Sequence, residues 1–307
     1  MPRARVVKPR VASGPMEEFV FGDCRVTRVP DLEDFPMPAD VMYPDATREA
    51  LARLGPRFGP RFIDAAAFRL LLSFHTWLVR TPTRTLLVDT CIGDGKQRER
   101  YDAWNRKRGP YLERLAAAGV RPEDVDCVMC THLHADHVGW NTRMIDGRWV
   151  PTFPNAEYLI AEQEYRHYRA AHDAGPEVPV NYGSFVDSVL PVVASGQARL
   201  VAGDHRVQAG VHLEAAPGHT PGNVLIHLER GAQHAIFSGD VLHHPVQLAH
   251  PEWSTRFCWD ADRSHRTRRG LLERVAGTAT RLMTAHFQSP GCGRVVRDGA
   301  AFGIEWS

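Results

Sequence analysis

The stretch Thr131-His132-Leu133-His134-Ala135-Asp136-His137 places three imidazoles and a carboxylate within six positions. It follows an apolar run, VDCVMC, that reads as a buried strand, and it precedes a short helical pattern. On a helix His132 and His134 would point to nearly opposite sides, whereas at a strand end that turns into a loop all four side chains converge on one point. Neutral imidazole and carboxylate are ligands for zinc and similar divalent ions. The chemistry such a cluster offers is activation of water and polarisation of a carbonyl or phosphoryl oxygen.

The segment THLHADHVGW resembles the HxHxDH signature of the metallo-β-lactamase superfamily. The resemblance implies three further ligands at wide spacing, and each has a matching position. His219 lies in APGHTPGN, Asp240 in AIFSGDVL and His286 in RLMTAHF. It implies that His132, His134 and His219 hold one metal, that Asp136, His137 and His286 hold a second, and that Asp240 bridges them. Asp89, in LLVDTCIG, matches an acidic residue that supports a ligand histidine by accepting its free N–H. The implied fold is a four-layer αββα sandwich. The implied cofactors are two divalent ions, zinc first, with manganese, cobalt and iron also suited to such donors. Five histidines and two carboxylates agree with a pair of ions sharing a hydroxide nucleophile at neutral pH, so that no serine nucleophile is needed.

The expected activity is hydrolysis of small carboxylic esters or lactones resembling acyl-homoserine lactones. Asp136 or His243 would pass a proton to the leaving oxygen. Phosphotriester and β-lactam hydrolysis are the alternatives among hydrolases of the fold, and a non-hydrolytic redox metal protein, of the kind that holds a single iron in this fold, is the alternative from a different class. One position departs from the lactonase pattern. Those enzymes commonly carry Tyr three residues after the bridging Asp. This chain carries His243 there, which looks more like the methyl-parathion hydrolase branch. Trp253, Trp140 and Phe287 are expected as apolar walls for the substrate, Trp253 above all, because HHPVQLAHPEW is too polar and Pro-rich for a core segment. Little resembles the glutathione-binding segment of the glyoxalase II branch, since about 20 residues follow His286.

The elements that must position these residues can be read in outline. Residues 1–17 form an expected flexible arm, and 18–307 a single domain. FVFGDCRVTRVP over 18–29 reads as a first strand, and 30–66 as an irregular excursion with a short helix near 46–54, acting as a lid or as a homodimer contact. Strands are expected over FRLLLSFHTWLVRT and TRTLLVDTCIG, a helix over PYLERLAAAGV, and a hairpin at Asp146-Gly147. Helices are expected over 162–173 and 183–194, strands over 198–202, 211–216, 223–229 and 233–238, a polar loop over 243–260 and then a helix. Two last strands are expected near 294–298 and 301–305.

Composition narrows the partners. With 37 Lys and Arg against 36 Asp and Glu, the net charge of +1 gives no electrostatic ground for nucleic acid or an anionic membrane. No apolar run reaches the about 18 residues a membrane span needs. A cytoplasmic enzyme with a small-molecule substrate is the expectation. The Cys127–Cys130 pair sits inside the apolar run and reads as core thiols rather than as a redox turn.

Overall fold

A computed structural model describes residues 16–177 and 179–307. Two sheets pack face to face. The first runs in the order Glu18–Phe21, Cys24–Pro38, Arg69–Arg80, Thr85–Val88, Cys127–Met129, Glu157–Ala161, Ala198–Val201, with Ile63–Asp64 pairing on Arg69–Arg80. The second runs Arg206–Gln208, Val211–Ala215, Val224–Arg230, Gln233–Phe237, Arg281–Met283, Cys292–Asp298, Ala301–Trp306. Between them Val79, Val88, Met129 and Leu159 of one sheet meet Leu213, Ile226, Phe237 and Met283 of the other. Leu87, Val128 and Tyr158 turn outward beneath the helix Tyr111–Ala117 and the turns around Phe185. Leu225, Ile236 and Leu282 turn outward beneath Ala261–Val275 and Arg48–Phe58. The result is the expected αββα sandwich. It explains why Arg69–Arg80 is buried from Leu70 to Val79 rather than at alternate positions, since a strand covered on both faces has no solvent side.

The strands Thr85–Val88, Cys127–Met129, Glu157–Ala161 and Ala198–Val201 are parallel, as are Gln233–Phe237 and Arg281–Met283. The loops at their carboxyl ends gather at one rim, the usual place for a site in an α/β layer. Of the CxxC pair, Cys130 follows the carboxyl end of Cys127–Met129 and Cys127 begins that strand. Cys127 is in the strand, and burial pushes its thiol up to about 12. No helix of the described residues is long and apolar enough to cross a membrane.

Several expectations are corrected. Most of the arm, residues 1–15, lies outside the described residues. Met16 and Glu17 already belong to the fold, and the Glu17 carbonyl accepts the Arg28 N–H at 2.9 Å. The first strand is two, Glu18–Phe21 and Cys24–Pro38, turning at Gly22. Residues 30–66 are not an irregular excursion. The second strand continues through them to Pro38, and two register shifts, between Pro30 and Leu32 and between Leu32 and Phe35, accommodate its prolines. The helices Ala39–Met42 and Arg48–Phe58 follow, the latter capped by Thr47 Oγ1, which accepts from Ala50 N at 3.1 Å. The helix expected over 183–194 is present, but its first part, Phe185–Val189, is π-helical before the α-helix Leu190–Ala194. The loop 243–260 carries a helical turn, Val246–Ala249, and 241–248 are buried. The hairpin at Asp146-Gly147 is present, with both residues at positive φ (48° and 76°) as a tight turn requires.

Candidate metal centre

Each candidate ligand follows a strand. Cys127–Met129 leads to the loop of His132, His134, Asp136 and His137. Val211–Ala215 leads to His219, Gln233–Phe237 to Asp240, and Arg281–Met283 to His286. Asp240 needs the glycine before it. Gly239 has φ of +46°, and a Cβ there would stand 2.8 Å from the Thr131 side chain, so Gly239 lets the two loops touch.

The structure brings all seven residues together, in two groups. His132, His134, His219 and Asp240 offer ligand atoms within 4.8 Å of one another, and so do Asp136, His137 and His286. His134 Nδ1 faces His132 Nε2 at 3.0 Å and His219 Nε2 at 2.8 Å. His137 Nε2 faces His286 Nε2 at 3.2 Å. Asp240 stands between the groups. Its Oδ2 lies 3.1 Å from His219 Nε2 and 3.6 Å from His132 Nε2, and its Oδ1 lies 2.9 Å from His286 Nε2 and 3.2 Å from His137 Nε2. Asp136 Oδ2 is 3.6 Å from His286 Nε2.

The residues fit divalent ions. Asp240 Oδ1 is buried with no hydrogen-bond partner among the described residues, a costly arrangement for a carboxylate unless a cation meets it. Protons compete for the same nitrogens. Burial disfavours charge on His219, but the Asp240 carboxylate outweighs it and lifts His219 to about 10. Burial first, and neighbouring imidazoles next, push His132 and His134 well down. Burial opposes charge on Asp240, yet the surrounding imidazoles hold its carboxyl well below the usual range. Metal uptake at such a site displaces protons.

A surrounding set of groups aims the rings. Asp89 has left-handed backbone, φ 56°. Its Oδ1 accepts Thr131 N, and its Oδ2 accepts Thr131 Oγ1 and faces His137 Nδ1, all at 2.8 Å. With Nδ1–H spent on Asp89, His137 presents Nε2 inward. His286 Nδ1 donates to Ser73 O at 3.0 Å, with the same effect. Behind His219, Cys258 Sγ lies 3.6 Å from Nδ1, and this contact outweighs burial to bring the thiol down to about 7.

Two residues absent from the sequence reading matter here. Glu164, on the helix Glu162–Asp173, is buried, and its oxygens accept Leu133 N at 3.0 Å and Gly222 N at 2.9 Å. It ties the His134 loop to the His219 loop. A Cβ on Gly222 would come within 2.3 Å of Glu164 N, so the contact also depends on that glycine. Glu164→Gln turns one acceptor into a donor facing a backbone N–H. We expect it to cost about 1–3 kcal/mol, read as a lower thermal midpoint and faster metal loss to a chelator. A variant as stable and as chelator-resistant as the native protein would show that the brace is dispensable. Arg268, also buried, donates to Pro251 O at 2.7 Å and to Ser254 Oγ at 3.1 Å, pinning the segment that follows Asp240.

A cavity of about 410 Å³ opens over His134, Asp136, His219, Asp240, His243 and His286. Its walls are Met37, Met42, Leu72, Phe74, Tyr101, Trp104, Tyr168, Tyr182 and Phe257. Met37 and Met42 come from the segment expected to be irregular. The three expected wall residues are elsewhere. Trp253 is buried behind the site, stacked on His250 at 4.2 Å, and its carbonyl accepts from Gln247 Nε2 at 2.8 Å. Gln247 Oε1 in turn accepts His243 N at 2.8 Å, so Trp253 supports the His243 backbone. Trp140 stacks on Tyr111 at 5.1 Å, and Phe287 packs against Phe62 and Trp306. Most of HHPVQLAHPEW is buried, and two of its polar side chains find partners there: His244 Nε2 lies 3.0 Å from Phe62 O, and Gln247 bonds to the backbone of His243 and Trp253. His243 reaches the cavity. Its Nε2 is 3.1 Å from Asp240 Oδ2, off the direction of a hydrogen bond, and neither ring nitrogen is bonded among the described residues. Burial brings it down to about 4, against the pull of Asp240.

The family model described as the metallo-beta-lactamase superfamily matches residues 74–281, and the chain belongs to that superfamily. Among curated relatives, it is 28% identical over 170 residues to a hydroxyacylglutathione hydrolase of Aeromonas salmonicida (strain A449), covering 55% of this chain and 46% of that protein. It is 28% identical over 174 residues to an N-acyl homoserine lactonase of Bacillus cereus, covering 52% and 60%. The chain thus spans about half the length of these relatives. Among solved structures, the dizinc quorum-quenching lactonase AidC superposes with a TM-score of 0.75 at 21% identity, over 95% of this chain and 97% of that one. The hydrolase AbOPH superposes with 0.80 at 22% identity, over 96% and 98%. At these identities the superpositions establish the fold.

Proposed function

We propose that the protein is a dinuclear metal-dependent hydrolase of small carboxylic esters or lactones, resembling acyl-homoserine lactones. The observation that carries this reading is Asp240, whose two oxygens each face a different set of imidazoles under an apolar-walled cavity. His132, His134 and His219 would hold one ion, Asp136, His137 and His286 the other, with Asp240 shared. When bound, such ions make a hydroxide available at neutral pH and draw electrons from a carbonyl oxygen. The lactonase relatives support the substrate class.

The chain's own groups do the rest. Met37, Leu72, Phe74 and Trp104 exclude water and take an acyl chain, each buried methylene contributing about 0.8 kcal/mol. Asp136, which lines the cavity, would carry a proton to the leaving oxygen. Neutral His243 orients the carbonyl.

The test is a turnover screen of protein loaded with zinc, manganese or cobalt, against acyl-homoserine lactones, aryl esters, phosphotriesters and β-lactams. Lactones or aryl esters should give the highest kcat/KM, rising with acyl length. A preference for phosphotriesters would overturn the substrate class. A single redox-active iron per chain, with no hydrolysis, would overturn the reaction class.

A further inference from the structure

A second group of imidazoles lies on the outer face of the second sheet, on strands whose far ends lead to His219 and Asp240. His212 pairs across the strands with His227, and Glu229 with His234. Their strand neighbours Leu213, Ile226, Leu228 and Ala235 point the other way, into the space between the sheets. The His212 and His227 rings stack with centroids 4.5 Å apart. His227 is buried, His212 and His234 are partly so, and Glu229 is exposed.

The group is arranged like a ligand set with its support. Arg274 grips Glu214 through two bonds of 2.8 and 2.9 Å. Glu214 Oε2 in turn accepts His227 Nε2–H at 2.8 Å. That leaves the electron pair of His227 on Nδ1, which meets His234 Nε2 at 2.9 Å. A carboxylate fixing one nitrogen of a histidine, so that the other is presented, is the usual second partner of a metal-bound imidazole. Burial, and then the neighbouring His227, push His212 and His234 below the ordinary histidine value, so both are neutral at pH 7 and carry free electron pairs. Ligand atoms of His212, His227 and Glu229 already lie within 4.8 Å of one another. Glu229 sits two residues after His227, which on a strand puts both side chains on the same face.

We infer that His212, His227 and Glu229 form a further metal site, outside the catalytic cavity, for one borderline divalent ion such as Zn(II) or Cu(II). Two imidazoles and a carboxylate match the preference of these ions. The near-parallel rings, 10° apart, place the ion at the ring edges rather than between the faces. Binding therefore requires the partly exposed His212 and the exposed Glu229 to turn toward buried His227, and it replaces the N–H···N bond from His234. The ion would clamp Val211–Ala215 to Val224–Arg230. Protons compete for the same nitrogens, so affinity falls in acid.

The test uses the full chain with its catalytic centre filled, freed of loose metal and titrated with Zn(II). The native protein should take up one equivalent more than the double variant His212→Ala/Glu229→Gln. Both positions are at the surface, and neither contributes to the catalytic cavity. Bound Cu(II) should show nitrogen hyperfine coupling from imidazole in the native protein and lose it in the variant. Glu214→Gln should weaken the uptake about tenfold while keeping the stoichiometry. Equal zinc uptake by native protein and double variant would overturn the site.

Discussion

Asp240→Ala is expected to reduce hydrolysis to background and to empty both halves of the centre. A carboxylate shared by two ions, as proposed, would balance charge on each, so its loss would weaken both groups rather than one. The competing effect has the opposite sign, which makes the experiment decisive. The same carboxylate lifts His219 to about 10. Without it His219 gives up its proton more readily. If Asp240 served only to hold protons on the imidazoles, the variant would bind metal more tightly. If it is a ligand, metal content drops although the histidines are better deprotonated. Metal per chain after dialysis, read beside a thermal melt to confirm folding, separates the two. Full metal content and a native rate would remove Asp240 from the proposed machinery.

The residues that the sequence marked are those whose neighbours in the chain also mark them. The loop from His132 to His137 follows a buried strand, and Asp240 and His219 sit beside glycines that permit close approach. Asp89 stands at the end of an apolar strand, and in the structure it lies against His137. What stayed hidden depends on contacts between distant segments. Glu164 lies in EQEYRHYR, which reads as a solvated helix face. Its burial comes from loops that are 31 and 58 residues away. Trp253 and Phe287 look like walls because aromatic residues near a motif can serve either as lining or as support, and composition does not separate the two. The strand through 30–38 was masked by its prolines, which a bulged pairing absorbs.

His243→Phe is expected to lower turnover on the best lactone or ester by about 10²–10³-fold, the usual cost of losing one oriented hydrogen-bond donor at a reacting carbonyl. Burial holds His243 near 4, so at pH 7 the ring is neutral, and cations bound close by would keep it so. A neutral imidazole donates from one nitrogen, and both nitrogens of this ring are without a hydrogen-bond partner among the described residues. Its backbone is held by Gln247, which Trp253 holds in turn, so the ring is positioned before a substrate arrives. The role predicts a split between substrates. Loss on esters and lactones should exceed loss on phosphotriesters, because the donor is aimed at a planar carbonyl rather than at a tetrahedral phosphorus centre. The rate should also not fall as pH rises from 6 to 8, since the group has no proton to lose there. Metal content has to be measured first, because the ring lies 3.1 Å from Asp240 Oδ2. An unchanged rate with the metals retained would assign His243 to packing. A rate lost in proportion to lost metal would make it a support for Asp240 instead.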